Sequence, residues 1–594
     1  MALNHYKTIL KGQAAIDLWL RGLDFWNRWV EDNPVADVSF AGVDFTRFES
    51  VSFEGYIFPK GEVNFHAAQF GEGDVSFHRV KFGEGNVIFS EAKFGEGNVD
   101  FSKSQFDKGN VNFYKSQFGK GNISFRRTKF GEGYVKFSET RFGKGYVSFR
   151  LVQFGVGNID FSNSLFGEGN LNFTGADFGE GDVSFYRVQF GNGSVIFSGT
   201  KFGKGDVGFN AAKFGEGNVT FCHTHFGKGC ISFNEAKFSE GSVNFAFADF
   251  CEGNVSFRLS QFGEGNTSFN RTQFGRGEVS FFKAQFGKGN VNFSGAKFGE
   301  GDVCFDKTQF SESKVNFKYI KLSGQFNFSN AKGTEHINFL SFKFATFDGP
   351  VNLVNTNFNC IVDLTNTKLS HQLSLGRFNA RAKVKTRSKL ILKIFIRIQK
   401  LWFGSQLQFS RTKKTLKKCD RLSRQFPWLS KATAANRSDI ERIRRLKELA
   451  EMNEHHRLAL DLHVEELKCS RWIETISKRA LFVEFLFDKF GDYGRSLQRP
   501  FVGLVAIGAL CSPIYYFSRV ERAATITDAL YYSFAQMLHL IPSSKTSRIE
   551  FATRLFGSTD KIPDYLFLLS WFQSLASIAL VFLIGLALRN RFRI

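Results

Sequence analysis

A phenylalanine returns every 12 residues from Phe65 to Phe317 with no insertion, usually in the pattern Val-x-Phe that begins at Val63; there are 22 copies. A second Phe follows the first by five, from Phe70 and Phe82 through to Phe310. A Gly-x-Gly turn comes next, as in Phe82-Gly83-Glu84-Gly85-Asn86. A single globular core does not use one residue this regularly. A stack of like units does, because each unit buries the same side chain at the same place. The 76 Phe and 57 Gly among 594 residues follow from that repeat.

Two glycines in every twelve residues would cost a helix about 1 kcal/mol each. Val75 and Phe77 alternate with polar Ser76, the period of a strand with one buried face. Gly71 and Gly73 are read as the turn, where positive φ is cheap. Phe77, Phe82, Phe89, Phe94, Phe101 and Phe106 are then an inward core ladder, and the i−2 position before the second Phe stays small, as at Ala92, Ser104, Thr128 and Ala176. Each unit reads as large-inside and small-inside in steps of five, followed by two extra turn residues. In these steps, and in Val38-Ser39-Phe40-Ala41-Gly42-Val43-Asp44-Phe45 and Val362-Asp363-Leu364-Thr365-Asn366-Thr367-Lys368-Leu369, the chain resembles the pentapeptide-repeat family. The resemblance implies a right-handed, four-sided β-solenoid. The two residues inserted at alternate corners depart from that family and leave the coil size open. A coil of one repeat makes the regular block roughly 100 Å long, and a coil of two makes it roughly 50 Å. The step of five, which turns one side into the next, favours two.

Stacking places Asn86, Asn98, Asn110 and Asn122 in a ladder that hydrogen-bonds along the rod. The open ends are sheet edges and need covers. Ile16, Trp19, Leu20, Leu23, Trp26 and Val30 form a stripe at helical spacing, so residues 12–32 are expected to be a capping helix. The run from Leu23 to Trp29 is similar to the opening segment of some pentapeptide-repeat proteins. Residues between the turn glycines alternate in charge, with Glu72, Glu84 and Glu96, then Lys108 and Lys120, then Glu132 and Lys144. Such a mixed surface argues against an acidic mimic of DNA.

After Leu369 the repeat fades and the charge changes. Arg381–Lys431 holds sixteen Lys or Arg and one acidic residue, Asp420, so much of the net charge of +22 lies outside the rod. Lys389, Lys393, Arg397 and Lys400 fall on one face of a helix with apolar residues between them. That pattern suits a bilayer interface with anionic headgroups. A disordered basic linker is the alternative, and nucleic acid is not expected because no nucleic-acid motif is present. Residues 438–480 read as helical, with Ser438 and Glu441 as a capping box and Ile440, Ile443, Leu446 and Leu449 as the apolar stripe. The stretch Arg445 to Lys468 resembles the connector ahead of the membrane segment in some bacterial pentapeptide-repeat proteins.

Phe501–Phe517 and Tyr565–Leu588 are apolar and long enough to span a hydrocarbon core of about 30 Å. Arg495 and Arg499 precede the first, and Arg589, Arg591 and Arg593 follow the second, which places both ends in the cytoplasm. The N-terminus lacks the apolar core of a secretory signal, which agrees. Between the spans, Thr527-Asp528-Ala529-Leu530-Tyr531-Tyr532-Ser533-Phe534-Ala535 resembles the pore helix of two-transmembrane potassium-channel-like modules. Gln536-Met537-Leu538-His539-Leu540-Ile541-Pro542 stands where a filter would follow, and it has no run of small residues for a carbonyl ladder. K⁺ selectivity is therefore not expected. If the bundle did form a pore, Gln536, His539 and Gln573 would line it.

No catalytic, cofactor-binding or metal site is expected. Gly-x-Gly lacks the strand and helix context of a phosphate cradle. Cys222, His223, His225 and Cys230 are the metal-like group, and in the repeat register they fall on ordinary outward positions. The eight Cys are irregularly spaced and make no disulfide framework. The expected fold is mainly β. It comprises a capping helix (1–35), a β-solenoid (36–375, regular over 63–322), a basic linker (376–432), a helical connector (433–500) and a transmembrane hairpin with a re-entrant helix (501–594). The expected function is a non-catalytic scaffold on the inner (cytoplasmic) membrane, multi-pass, with its solenoid in the cytoplasm. Expected partners are an anionic leaflet, an unidentified cytosolic protein and a second copy of the chain through the transmembrane segment. The alternative is an oligomeric channel-like effector that the solenoid regulates.

Overall fold

A computed structural model describes residues 7–385, 433–537 and 542–592. The chain divides into two compact units, Met1–Arg381 with Glu441–Leu458, and Ala382–Ile440 with Ala459–Ile594.

The first unit is a parallel β-solenoid. Strands pair with a register of 24 residues, Val75 with Val99 and Val87 with Val111, so one coil holds two 12-residue repeats. Val-x strands build two opposite faces, one sheet of sixteen strands and one of thirteen. The Lys and Gln positions build the two faces between them, through bridges such as Gln69↔Lys93 and Lys81↔Gln105. At about 4.8 Å per coil the sixteen strands rise about 70 Å, and the regular block takes about 50 Å of that.

Phenylalanine fills the interior. Phe77 and Phe89 are fully buried. Each first Phe stacks on its counterpart one coil away, as Phe77 does on Phe101 at 4.7 Å and 3°. It meets the opposite column edge-on, Phe77 against Phe89 at 5.3 Å and 84°. The second Phe forms its own columns, with Phe82 on Phe106 at 4.5 Å and Phe94 on Phe118 at 4.5 Å. Both contacts are favoured ring geometries. The small i−2 position has a second role: at most of its Ser and Thr, the hydroxyl donates to a Phe carbonyl one coil below, while Ser260 donates to Phe257 O in its own coil. Ser116 Oγ reaches Phe89 O at 2.7 Å and Thr128 Oγ1 reaches Phe101 O at 2.7 Å. A buried hydroxyl is thereby satisfied inside an apolar stack.

The turn glycines differ from expectation. Positive φ falls two residues after the first Phe, at Arg79, Glu91, Lys103 and their equivalents, and not at Gly71 or Gly73. The glycines are needed for close stacking instead. A Cβ on Gly97 would lie 2.2 Å from Gly73 O and 2.3 Å from Gly73 C. The second glycine of the turn is accordingly unbroken from Gly61 to Gly301. The first gives way at Pro59, Asp107, Ser239 and Cys251.

The Asn ladder joins side chain to backbone. Asn86 Oδ1 accepts from Asn110 N at 3.0 Å, and Asn98 Oδ1 from Asn122 N at 2.9 Å. Each Asn or Asp thus satisfies an amide that the turn leaves out of the sheets. Charges between the glycines pair along the rod, Lys108 with Glu84 at 3.0 Å and Lys120 with Glu96 at 3.0 Å.

Both ends are covered. At the start, the strand Ile9–Lys11 pairs with Asp37–Ser39. Two helices follow, α1 (Gln13–Leu20) and α2 (Leu23–Asp32), where a single helix was expected. Gly22, at φ 89°, breaks the helix and leaves Leu20 and Leu23 exposed. Trp26 is fully buried, stacks on Phe40 at 6.1 Å and donates to Ile57 O at 2.9 Å. Trp19 stacks on Phe53 and donates to Ser52 O at 2.8 Å. At the far end, α3 (Asp439–Met452), which the sequence places in the connector, is the cap. Its Arg442 pairs with buried Asp363 at 3.1 Å, and Asn453 Oδ1 just beyond it accepts from Leu373 N at 3.0 Å. Ser438, read as half of a capping box, donates its hydroxyl to Asn436 Oδ1.

The helix α4 (His456–Ser470), which lies in the second unit from Ala459 onwards, leads to α5 (Lys478–Gly491). A buried knot ties their junctions together. Arg471 Nε donates to Glu484 Oε1 at 2.8 Å, and Tyr493 donates to the same oxygen at 2.9 Å. Burial pushes the Tyr493 hydroxyl well above the ordinary tyrosine range. Then come α6 (Gln498–Phe517), α7 (Ile526–Met537), α8 (Pro542–Phe556) and α9 (Asp564–Phe592).

Candidate functional site

The helices α6 and α9 are long and apolar enough to cross a bilayer. Their outer faces carry large apolar side chains without cover: Leu510 is 73% exposed, Leu568 75%, Trp571 74% and Phe582 68%. Exposed apolar side chains of this size on two long apolar helices suit a lipid environment.

Between them, α7 starts at a capping box. Thr525 N and Oγ1 donate to Asp528 Oδ2 at 2.9 and 2.6 Å, and Asp528 N donates back to Thr525 Oγ1 at 3.3 Å. The helix packs against both spans. Gly508 on α6 allows this, because a Cβ there would meet the Phe534 ring at 2.7 Å. Ser533 Oγ donates to Gly508 O at 2.8 Å.

Gln573 lies at the centre of this bundle and is fully buried. Its Oε1 accepts from Tyr515 Oη at 3.0 Å, and its Nε2 donates to Ser533 O at 2.9 Å and Ser533 Oγ at 2.8 Å. Gln536 is buried too, accepting from Ser570 Oγ at 3.0 Å, while Ser574 Oγ reaches Gln536 O at 3.0 Å. Both side chains therefore join helices within one chain. His539 lies outside the described residues, as do Lys389, Lys393, Arg397 and Lys400. The sequence offered Gln573 and Gln536 as polar residues in an apolar run, but not their partners. Ser533, Ser570 and Ser574 are ordinary in composition, and only the packing of α7 against α9 reveals them.

Of Cys222, His223, His225 and Cys230, only His225 meets other ligand-type groups. They are Asp249 and Cys251, one coil further along. The 24-residue register is the signal that would have paired them, since 225 plus 24 is 249. Burial pushes the thiols of Cys222, Cys251 and Cys304 up, and that of Cys469 in α4 to about 12. That is opposite to what an activated nucleophile needs.

No protein-family model matches the chain, and no curated protein matches it significantly. Fold and apolar helices together define a mainly β solenoid protein with two candidate membrane-spanning helices at its C-terminal end.

Proposed function

We propose that the chain is a membrane-anchored scaffold of the pentapeptide-repeat kind, which holds a long regular surface at the cytoplasmic face of a membrane and acts by binding, not by catalysis. The exposed apolar faces of α6 and α9 carry this reading, because they need lipid around them. The arginines flanking the spans, Arg495 and Arg499 on one side and Arg589 and Arg591 on the other, support cytoplasmic ends. The Lys–Glu pairs along the solenoid support a surface that recognises a partner by shape and side-chain pattern, since the two signs largely cancel there.

The closed hydrogen bonding of Gln573 favours an anchor over a conducting pore. A pore-facing amide would need free donors and acceptors, and both ends of this one are used. The full-length protein, shown to be inserted in a planar bilayer, is expected to pass no discrete current. Unitary currents that vanish on truncation before Arg499 would make the bundle a pore and the solenoid its regulator.

A further inference from the structure

The repeat makes deviations easy to see, and three of them meet at one place on the solenoid surface. His225 is the only histidine in a column otherwise built mainly of Lys and Gln. Asp249 sits directly above it, bridged in register. Cys251 replaces the glycine that this turn position carries in most repeats. Cys251 adopts φ 27°, a backbone shift that Asp107 in the same column does not show.

We propose that His225, Asp249 and Cys251 bind a borderline-soft divalent cation of the Zn²⁺ class and so pin two successive coils together. Their ligand atoms all lie within 4.8 Å of one another. His225 Nδ1 is 3.3 Å from Asp249 Oδ2, and Cys251 Sγ is 3.9 Å from Nδ1 and 3.5 Å from Nε2 of the same ring. A tetrahedral zinc site with ordinary bond lengths sets nitrogen and oxygen about 3.4 Å apart, and nitrogen and sulfur about 3.6 Å apart. Small side-chain rotations therefore reach the required geometry. Asp249 is already oriented, because its Oδ1 accepts from Cys251 N at 3.2 Å and leaves Oδ2 towards His225. The nearby Lys228 is paired with Glu252 at 3.2 Å, which offsets its repulsion of a cation. On binding, the Cys251 thiol gives its proton to water as the metal–sulfur bond forms. The site supplies three protein ligands and leaves a fourth position open to water or to a partner's side chain.

The test is titration of the purified full-length protein with Co²⁺, followed by competition with Zn²⁺. A thiolate-to-cobalt charge-transfer band is expected, saturating at about one metal per chain and displaced by Zn²⁺. Cys251→Gly and His225→Lys restore residues that these columns carry in other coils, so both variants should fold. Cys251→Gly is expected to abolish the band. His225→Lys should weaken binding by more than about 100-fold, beyond what loss of an outer-shell partner costs. Absence of the band in the parent protein would overturn the proposal. So would its persistence in Cys251→Gly, or its loss in Cys222→Ser or Cys230→Ser.

Discussion

Gly97→Ala should destabilise the solenoid by about 3 kcal/mol or more, although it adds only a methyl group. The added carbon would sit 2.2 Å from Gly73 O, 2.3 Å from Gly73 C and 2.7 Å from Asp74 N. All three are backbone atoms of the coil below, so no side chain can swing aside. Overpacking alone costs typically 1–3 kcal/mol, and prising the coils apart adds about 1 kcal/mol for each ladder hydrogen bond lost. The control is Gly199→Ala. Gly199 has φ 64° but nothing within 4 Å of its Cβ, and the same corner holds Arg79 and Lys103 elsewhere. Its cost should be about 1 kcal/mol. Urea denaturation with amide hydrogen exchange over the neighbouring coils measures both. Equal effects would mean that the glycines are conserved along the rod for some reason other than close stacking.

Phe185→Ala should cost about 3–5 kcal/mol, the range for emptying a buried aromatic site. Phe185 is fully buried. It stacks on Phe161 at 5.0 Å and on Phe209 at 4.6 Å, and meets Phe197 edge-on at 5.6 Å. Its removal breaks a column at its middle and takes one stacking partner from each flanking ring, leaving Phe161 on Phe137 and Phe209 on Phe233. Since each coil in a repeat array touches chiefly its neighbours, the damage should be local. Hydrogen exchange should accelerate in the coils holding Phe161 and Phe209 and change little near Phe65. Uniform acceleration along the whole rod would contradict nearest-neighbour stacking, and no acceleration would remove Phe185 from the core.

The solenoid was legible because its signal is repeated. A period of 12 with Phe inward, a polar residue between Val and Phe, and a step of five leave little room for another fold. The roles of two positions were not legible. Gly71 and Gly73 look the same in sequence whether they serve positive φ or backbone contact, and only the 24-residue coil brings Gly97 onto Gly73. The C-terminal cap was visible as the stripe of Ile443, Leu446 and Leu449, yet its attachment depends on Arg442 meeting Asp363 across 79 positions, which no local pattern reports. The bundle followed the same logic. Apolar length revealed α6 and α9, while the partners of Gln573 are set by how α7 lies against them. Contacts between residues distant in sequence are what the pattern omits, unless the coil length supplies the partner, as it does for His225 and Asp249.

The proposed function requires a chain held in a membrane with its solenoid on the cytoplasmic side. Cys230 is exposed on that solenoid and provides a direct reporter. Membrane vesicles of both orientations, carrying a full-length variant with Cys230 as its only cysteine, can be treated with a membrane-impermeant thiol reagent. The protein should stay with the vesicles after washing, and Cys230 should be labelled only where the cytoplasmic face is outward. Labelling confined to the opposite orientation, or a protein recovered free of the membrane, would contradict the account.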